Sequence, residues 1–136
     1  MDLSERTKVG SGGPYEDPIG YSRVLATGPF VYVAGTTAGS DGSPIPAGVE
    51  AQTAQTMEII KSKLLKVGCT MDEVVRVRMY VVDIKQDWEA VSEVMNRYFK
   101  DVKPVMTMVE VKGLIDDDMR IEIEVDAVRK AFSAAS

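Results

Sequence analysis

The chain has 136 residues, 45% of them hydrophobic and 27% charged, with a net charge of -5 at pH 7. These values fit one globular domain that can bury a core without disulfides or metal, and the acidic balance argues against a nucleic-acid binder, which needs a basic surface. Histidine is absent, which excludes Ser-His-Asp and Cys-His machinery and leaves acid–base work to carboxylates, Tyr, Lys, the thiol or bound water.

Residues 1–20 hold Gly10-Ser11-Gly12-Gly13-Pro14 and Asp17-Pro18-Ile19-Gly20, which read as loop and turn. No Gly-Lys-Ser/Thr follows these glycines, so they do not form a phosphate loop. Tyr21 to Thr27 reads as a strand and Phe30 to Gly35 as its hairpin partner across Gly28-Pro29. Val31 and Val33 should then face one way, and Phe30, Tyr32 and Ala34 the other. Thr36 to Gly48 is a loop with an expected short strand piece.

Val49 to Val67 is the clearest helix. Val49, Thr53, Met57, Ile60 and Leu64 fall on one face, and Gly68 stops it. Thr70-Met71-Asp72-Glu73 has the capping-box pattern of a short turn. Val74 to Val82 is a strand whose Val75, Val77, Met79 and Val81 share a face, opposite Arg76, Arg78 and Tyr80. Asp87 is positioned to cap a second helix ending near Phe99, with Trp88, Val91, Met95 and Tyr98 as its packing stripe. Val105 to Val111 and Arg120 to Ala127 are the last strands. The triplet Asp116-Asp117-Asp118 between them lacks the Gly and terminal Glu of a calcium loop and reads as a solvated turn.

The order strand, strand, helix, strand, helix, strand, strand predicts an α+β two-layer domain spanning 1–136, with flexible ends at 1–13 and 130–136. Cys69 is the sole cysteine and has no neighbouring cation, so it reads as a small buried side chain. No apolar run has the length of a membrane span and no signal peptide opens the chain, so no membrane partner and a cytoplasmic location are expected. Nothing calls for a metal or a cofactor. Two helices cover one sheet face only. Tyr32, Tyr80 and Val82, among Arg76, Arg78, Glu122 and Glu124, would be left on the other, a pattern that favours closed self-association.

Five segments together carry a resemblance. They are Gly20-Tyr21-Ser22-Arg23-Val24 with Gly28 to Thr37, Gln52 to Leu64, Gly68 to Val75, Arg78 to Ile84, and Pro104 to Val111 with Ile121 to Val128. In this order, over residues 14–129, they resemble the Rid family of reactive intermediate deaminases, also called YjgF-like proteins. The resemblance implies a chorismate-mutase-like subunit, a mixed sheet with two helices on one face. It also implies a homotrimer whose sheets form an inner barrel, with clefts between subunits for small carboxylate or imine-like ligands.

Family deaminases hydrolyse 2-imino and 2-enamino acids to keto acids and ammonia. By position, Glu122 corresponds to the glutamate that orients or activates water, Tyr21 to the cleft tyrosine and Gly35 to a backbone contributor. Ala34 stands where a serine is frequent. Met106 stands at the position of the carboxylate-binding arginine, beside Thr107 and Met108. A thioether neither donates a hydrogen bond nor carries charge, and losing one partner of a desolvated charge pair costs about 2–5 kcal/mol.

Ordinary 2-imino acid hydrolysis is therefore expected to be weak. The chain is then either a hydrolase of another imine or enamine, or a trimer that holds a small ligand without turnover. Arg23 shares a strand face with Tyr21 and is a candidate replacement cation; the plainer expectation is a solvated or interfacial ion pair. Arg76 and Arg78 are further candidates, unless they pair with Glu122 or Glu124 across the sheet. A ribonuclease label is also attached to the family, and the charge of -5 gives it little support here.

Overall fold

The computed structural model describes residues 5–130. The strands β1 (Arg6–Val9), β2 (Val24–Thr27), β3 (Phe30–Thr36), β4 (Val74–Val81), β5 (Val105–Glu110) and β6 (Ile121–Val128) form one sheet in the order β1-β2-β3-β6-β4-β5. Only β4 and β5 run parallel, so the sheet is mixed, as expected. A single turn, α1 (Glu16–Ile19), precedes β2, and the two long helices are α2 (Val49–Lys66) and α3 (Ile84–Phe99).

The core lies between one sheet face and α2 with α3. Val24, Val31, Val33, Val77, Met79, Val81, Ile121, Ile123 and Val125 meet Met57, Ile60, Leu64, Val91, Met95 and Phe99. All five predicted inward positions of α2 are buried. The helix ends in a Schellman motif, with Gly68 in the left-handed region (φ 70°), its N–H on the Leu65 carbonyl at 3.1 Å and the Cys69 N–H on that of Leu64 at 3.0 Å. Cys69 is buried, and burial pushes its thiol pKa up to about 11. The capping box at Thr70 forms as read, its N–H donated to Glu73 at 2.9 Å.

Several readings change. Arg6–Val9 is a strand, not a loop. Its exposed Arg6, Thr7 and Lys8 need no apolar alternation, because they join the sheet through backbone pairing with β2, and Val9 alone packs against the core. No strand forms between Thr37 and Gly48. Pro44 and Pro46 have no N–H for a ladder, and two α2 side chains take up the segment's carbonyls instead. Gln52 donates to Pro46 at 2.9 Å, and Gln55 to Ala38 at 2.7 Å.

Val75 leaves the face predicted for it. A bulge between Val74 and Arg76, opposite β6, turns both Val75 and Arg76 outward. Trp88 is 48% exposed, and the buried face of α3 runs through Val91, Val94, Met95 and Phe99. Of the expected loose tail, 130–136, Lys130 donates its N–H to Glu73, and 131–136 lie outside the described residues.

Asp83, not Asp87, caps α3, accepting the Gln86 N–H at 3.3 Å. Ile84 packs on the core and so brings the helix start one turn earlier. Asp87 is buried and takes two bonds from Arg120, Nη2 at 2.6 Å and Nε at 3.2 Å. Arg120→Ala should therefore destabilise the fold by about 3 kcal/mol by leaving a buried carboxylate unpaired. Asp83→Ala should cost only about 1 kcal/mol, the value of an N-cap. Urea unfolding of both variants gives the comparison, and equal losses would contradict this division of roles.

Candidate functional site

Between Val33 and Thr36 the pairing of β3 with β6 slips. The bulge brings Gly35 under the end of β6, where Glu122 projects. A Cβ built on Gly35 would lie 2.6 Å from Glu122 Oε2, so the missing side chain is what lets the carboxylate lie against β3. Glu122 accepts no hydrogen bond among the described residues. It faces a cavity of ≈ 300 Å³ whose walls include Pro14, Tyr21, Ala34, Ser40, Ile115 and Met119. Burial raises its pKa; Arg23 opposes that shift and Glu124 adds to it.

Arg23 lies at the base of the cavity and is buried, 2% exposed, instead of solvated. A guanidinium has five N–H donors, and each of them meets an acceptor here. Nη1 donates to the Gly35 carbonyl at 2.5 Å and to Thr36 Oγ1 at 3.2 Å. Nη2 donates to Glu16 Oε2 at 3.4 Å and to the Tyr21 hydroxyl at 3.2 Å, and Nε to Ser11 Oγ at 3.4 Å. The guanidinium carbon also sits 5.3 Å from the centre of the Tyr21 ring, within cation–π range.

Glu16 is the counter-charge. Burial acts to raise its pKa, but the Ser11 N–H (2.9 Å), the Ser11 hydroxyl and the charge of Arg23 outweigh burial and hold the carboxyl below its usual range. One network thus ties the loop after β1, the turn α1, the entry to β2 and the bulge of β3.

Tyr21, Arg23, Gly35 and Glu122, proposed from sequence, are therefore brought together. Met106, Thr107 and Met108 are not. Met106 and Met108 pair in register with Val77 and Met79, on the side facing α3, and line a groove with Met95 and Phe99. Glu122 pairs with Tyr80 on the opposite side, and Thr107 is exposed beside Arg78. Arg78 pairs across the sheet with Glu124 at 3.6 Å and Asp126 at 3.4 Å, the structural alternative to a cleft role.

The sequence reading missed Glu16 and Ser11. Both lie in a stretch that reads as turn, and only the burial of Arg23 reveals why an acid and a hydroxyl are needed there.

The family profile described as Endoribonuclease L-PSP matches residues 16–129. A crystal structure of a YjgF/YER057c/UK114 family member from Mycobacterium tuberculosis superposes with a TM-score of 0.84 at 43% identity, covering 91% of this chain and 99% of that one. A RutC family protein of Pyrococcus abyssi is 34% identical over 116 residues, 83% of this chain and 90% of its own. A protein of Escherichia coli named as a candidate reactive intermediate deaminase, TdcF, is 26% identical over 125 residues, 90% of this chain and 92% of its own.

Two outcomes follow from the opposed carboxylates. Arg23→Ala strands Glu16 and should cost about 3–5 kcal/mol. Adding Glu16→Ala should return part of that loss, which a double-mutant cycle in urea measures; strict additivity would mean the two side chains are not coupled. Glu122 behaves oppositely. Its raised folded-state pKa means the native state binds its proton more tightly, so stability falls as pH rises from the ordinary glutamate value through the raised one. Glu122→Gln should therefore raise Tm at neutral pH, with a difference that shrinks as the pH is lowered past that window.

Proposed function

The chain belongs to the Endoribonuclease L-PSP family, also called the YjgF or Rid family, and on that premise we propose that it is a small-molecule hydrolase of carbon–nitrogen double bonds working in clefts between the subunits of a homotrimer. The observation that carries this reading is the Glu122 carboxylate, which accepts no hydrogen bond among the described residues and is desolvated at the wall of a cavity of ≈ 300 Å³. A raised pKa brings a carboxyl closer to the range in which it can both accept and return a proton.

In the reaction proposed, a water oxygen adds to the imine carbon while Glu122 takes one of the water's protons. The carbinolamine so formed has a new C–O bond and a single C–N bond. Glu122 returns that proton to nitrogen, giving the neutral C(OH)–NH2 adduct; it then takes the hydroxyl proton and delivers it to nitrogen as the C–N bond breaks, so that ammonia leaves and the carbonyl forms. The Tyr21 hydroxyl, held by Arg23 at 3.2 Å, lines the same space and orients the reacting group.

The trimer is supported by the face of the sheet that the helices leave bare. Phe30, Tyr32, Val105, Val109 and Val128 are exposed. Phe30 and Tyr32 alternate with the inward Val31 and Val33, and Val128 pairs with Phe30. Val105 and Val109 pair with Arg76 and Tyr80. Apolar side chains in that arrangement suit burial against further copies of the chain. In such an assembly the β5 edge of one subunit, with Met106, Thr107 and Met108, would have to border the cavity of the next.

A second reading, a trimer that holds a ligand without turnover, draws on Met106 standing where the resemblance places arginine. One assay separates the two. Ammonia release from freshly generated imines should exceed the spontaneous rate, and Glu122→Gln should lower kcat/KM about 10²–10⁴-fold, the usual contribution of an acid–base group. No acceleration by a folded trimer would leave the holding role. Met106→Arg should raise activity on 2-iminopropionate by about thirtyfold or more, the rate equivalent of restoring a desolvated charge pair. A null result in a trimer confirmed by sedimentation would remove Met106 from the cleft.

A further inference from the structure

We propose that the cavity selects ligands that carry a neutral or cationic nitrogen on an apolar skeleton and have no carboxylate. The inference rests on the reading of this cavity as the ligand site and adds the charge class of what enters it.

Among the described residues lining the cavity, Arg23 is the one cation. All five of its donors are engaged within the fold, by Gly35, Thr36, Glu16, Tyr21 and Ser11. For Arg23 to grip a ligand carboxylate it would have to release Glu16, itself buried, or the carbonyl of the β3 bulge. Either leaves a desolvated acceptor unpaired, which a single new ion pair does not offset. The positive charge of Arg23 is thus already balanced by Glu16.

Glu122 is balanced only in part: Arg23 acts on it through space and gives it no hydrogen bond. It has no hydrogen-bond donor among the described residues, and Glu124, two residues along the same strand, adds negative potential from the same sheet side. An anionic ligand would meet this unpaired carboxylate in a partly desolvated space, where like charges repel far more than in water. A protonated imine or amine would instead supply the donors that Glu122 lacks. Within the subunit, Pro14, Ile19, Ala34, Ile115 and Met119 offer contact to hydrocarbon, and Tyr15, Thr37 and Ser40 add hydroxyl-bearing walls but no further charge.

The test uses the wild-type protein and three probes of one shape: benzylamine, benzyl alcohol and benzoate, titrated at neutral pH by calorimetry. Benzylamine should bind at least about tenfold more tightly than benzoate, with benzyl alcohol between them. Glu122→Gln removes the charge and keeps the shape. It should weaken benzylamine by about tenfold and leave benzoate unchanged or tighter, erasing the preference. Benzoate equal to or tighter than benzylamine in the wild type would overturn the proposal, because some cation would then be reaching the ligand. A preference that survives in Glu122→Gln, or no binding of any probe, would overturn it as well. The hydrolase reading fails separately: an amine preference erased by Glu122→Gln, with no ammonia released from any imine, refutes turnover and retains the charge selection.

Discussion

A guanidinium taken out of water has to be answered by acceptors, and answering Arg23 organises one end of this molecule. Its partners come from four separate places in the chain: Ser11, Glu16 and Tyr21, and the bulge at Gly35 and Thr36. None of them is near Arg23 by helical or strand repeat except Tyr21. The bulge offers a main-chain carbonyl because pairing with β6 slips there. The turn α1 offers a carboxylate, and Ser11 steadies that carboxylate with its own N–H. A loop-rich N-terminal segment is thereby held against the sheet, where it forms one wall of the cavity.

The same arrangement sets two glutamates apart. Glu16 and Glu122 both feel the charge of Arg23 and both are desolvated, yet their pKa values move in opposite directions. Glu16 has hydrogen bonds from Ser11 in addition to the charge, and these overcome burial. Glu122 has no such bonds and a neighbouring carboxylate, so burial prevails. A structural acid and a chemically available acid thus sit on either side of one buried cation. Gly35 is the hinge of the distinction, since only the absence of a side chain lets Glu122 lie where it does.

The sheet has two unlike faces. Toward the helices it is a close-packed aliphatic layer. Away from them it mixes Phe30, Tyr32 and Val128 with the cross-strand pairs of Arg78 with Glu124 and Asp126 and the bond from Tyr80 to Glu124. Polar groups that satisfy one another among apolar side chains suit a surface covered by a partner better than one facing water. Met106 and Met108 lie in a groove against α3, on the other side of the sheet from Glu122. Any joint action of the two sets needs more than one copy of the chain.

Residue order by itself determined the two long helices, the Gly68 stop, the capping box at Thr70 and the alternation of β3 and β6. These follow from local backbone preference and from a repeat in which apolar residues must face a core. It also pointed to Tyr21, Arg23, Gly35 and Glu122, through strand spacing and through family resemblance. It missed β1, whose polar residues join by backbone alone, and it assigned the cap of α3 to Asp87 where Asp83, equally good by type, holds that place. Tertiary structure decided those cases because a distant partner settles them: Arg120 claims Asp87, and β2 supplies the ladder for β1. It also decided the state of Arg23. Whether a charge is solvated, free to hold a ligand or consumed by the fold depends on the acceptors that the chain brings around it from far along its length, and no local pattern encodes that count.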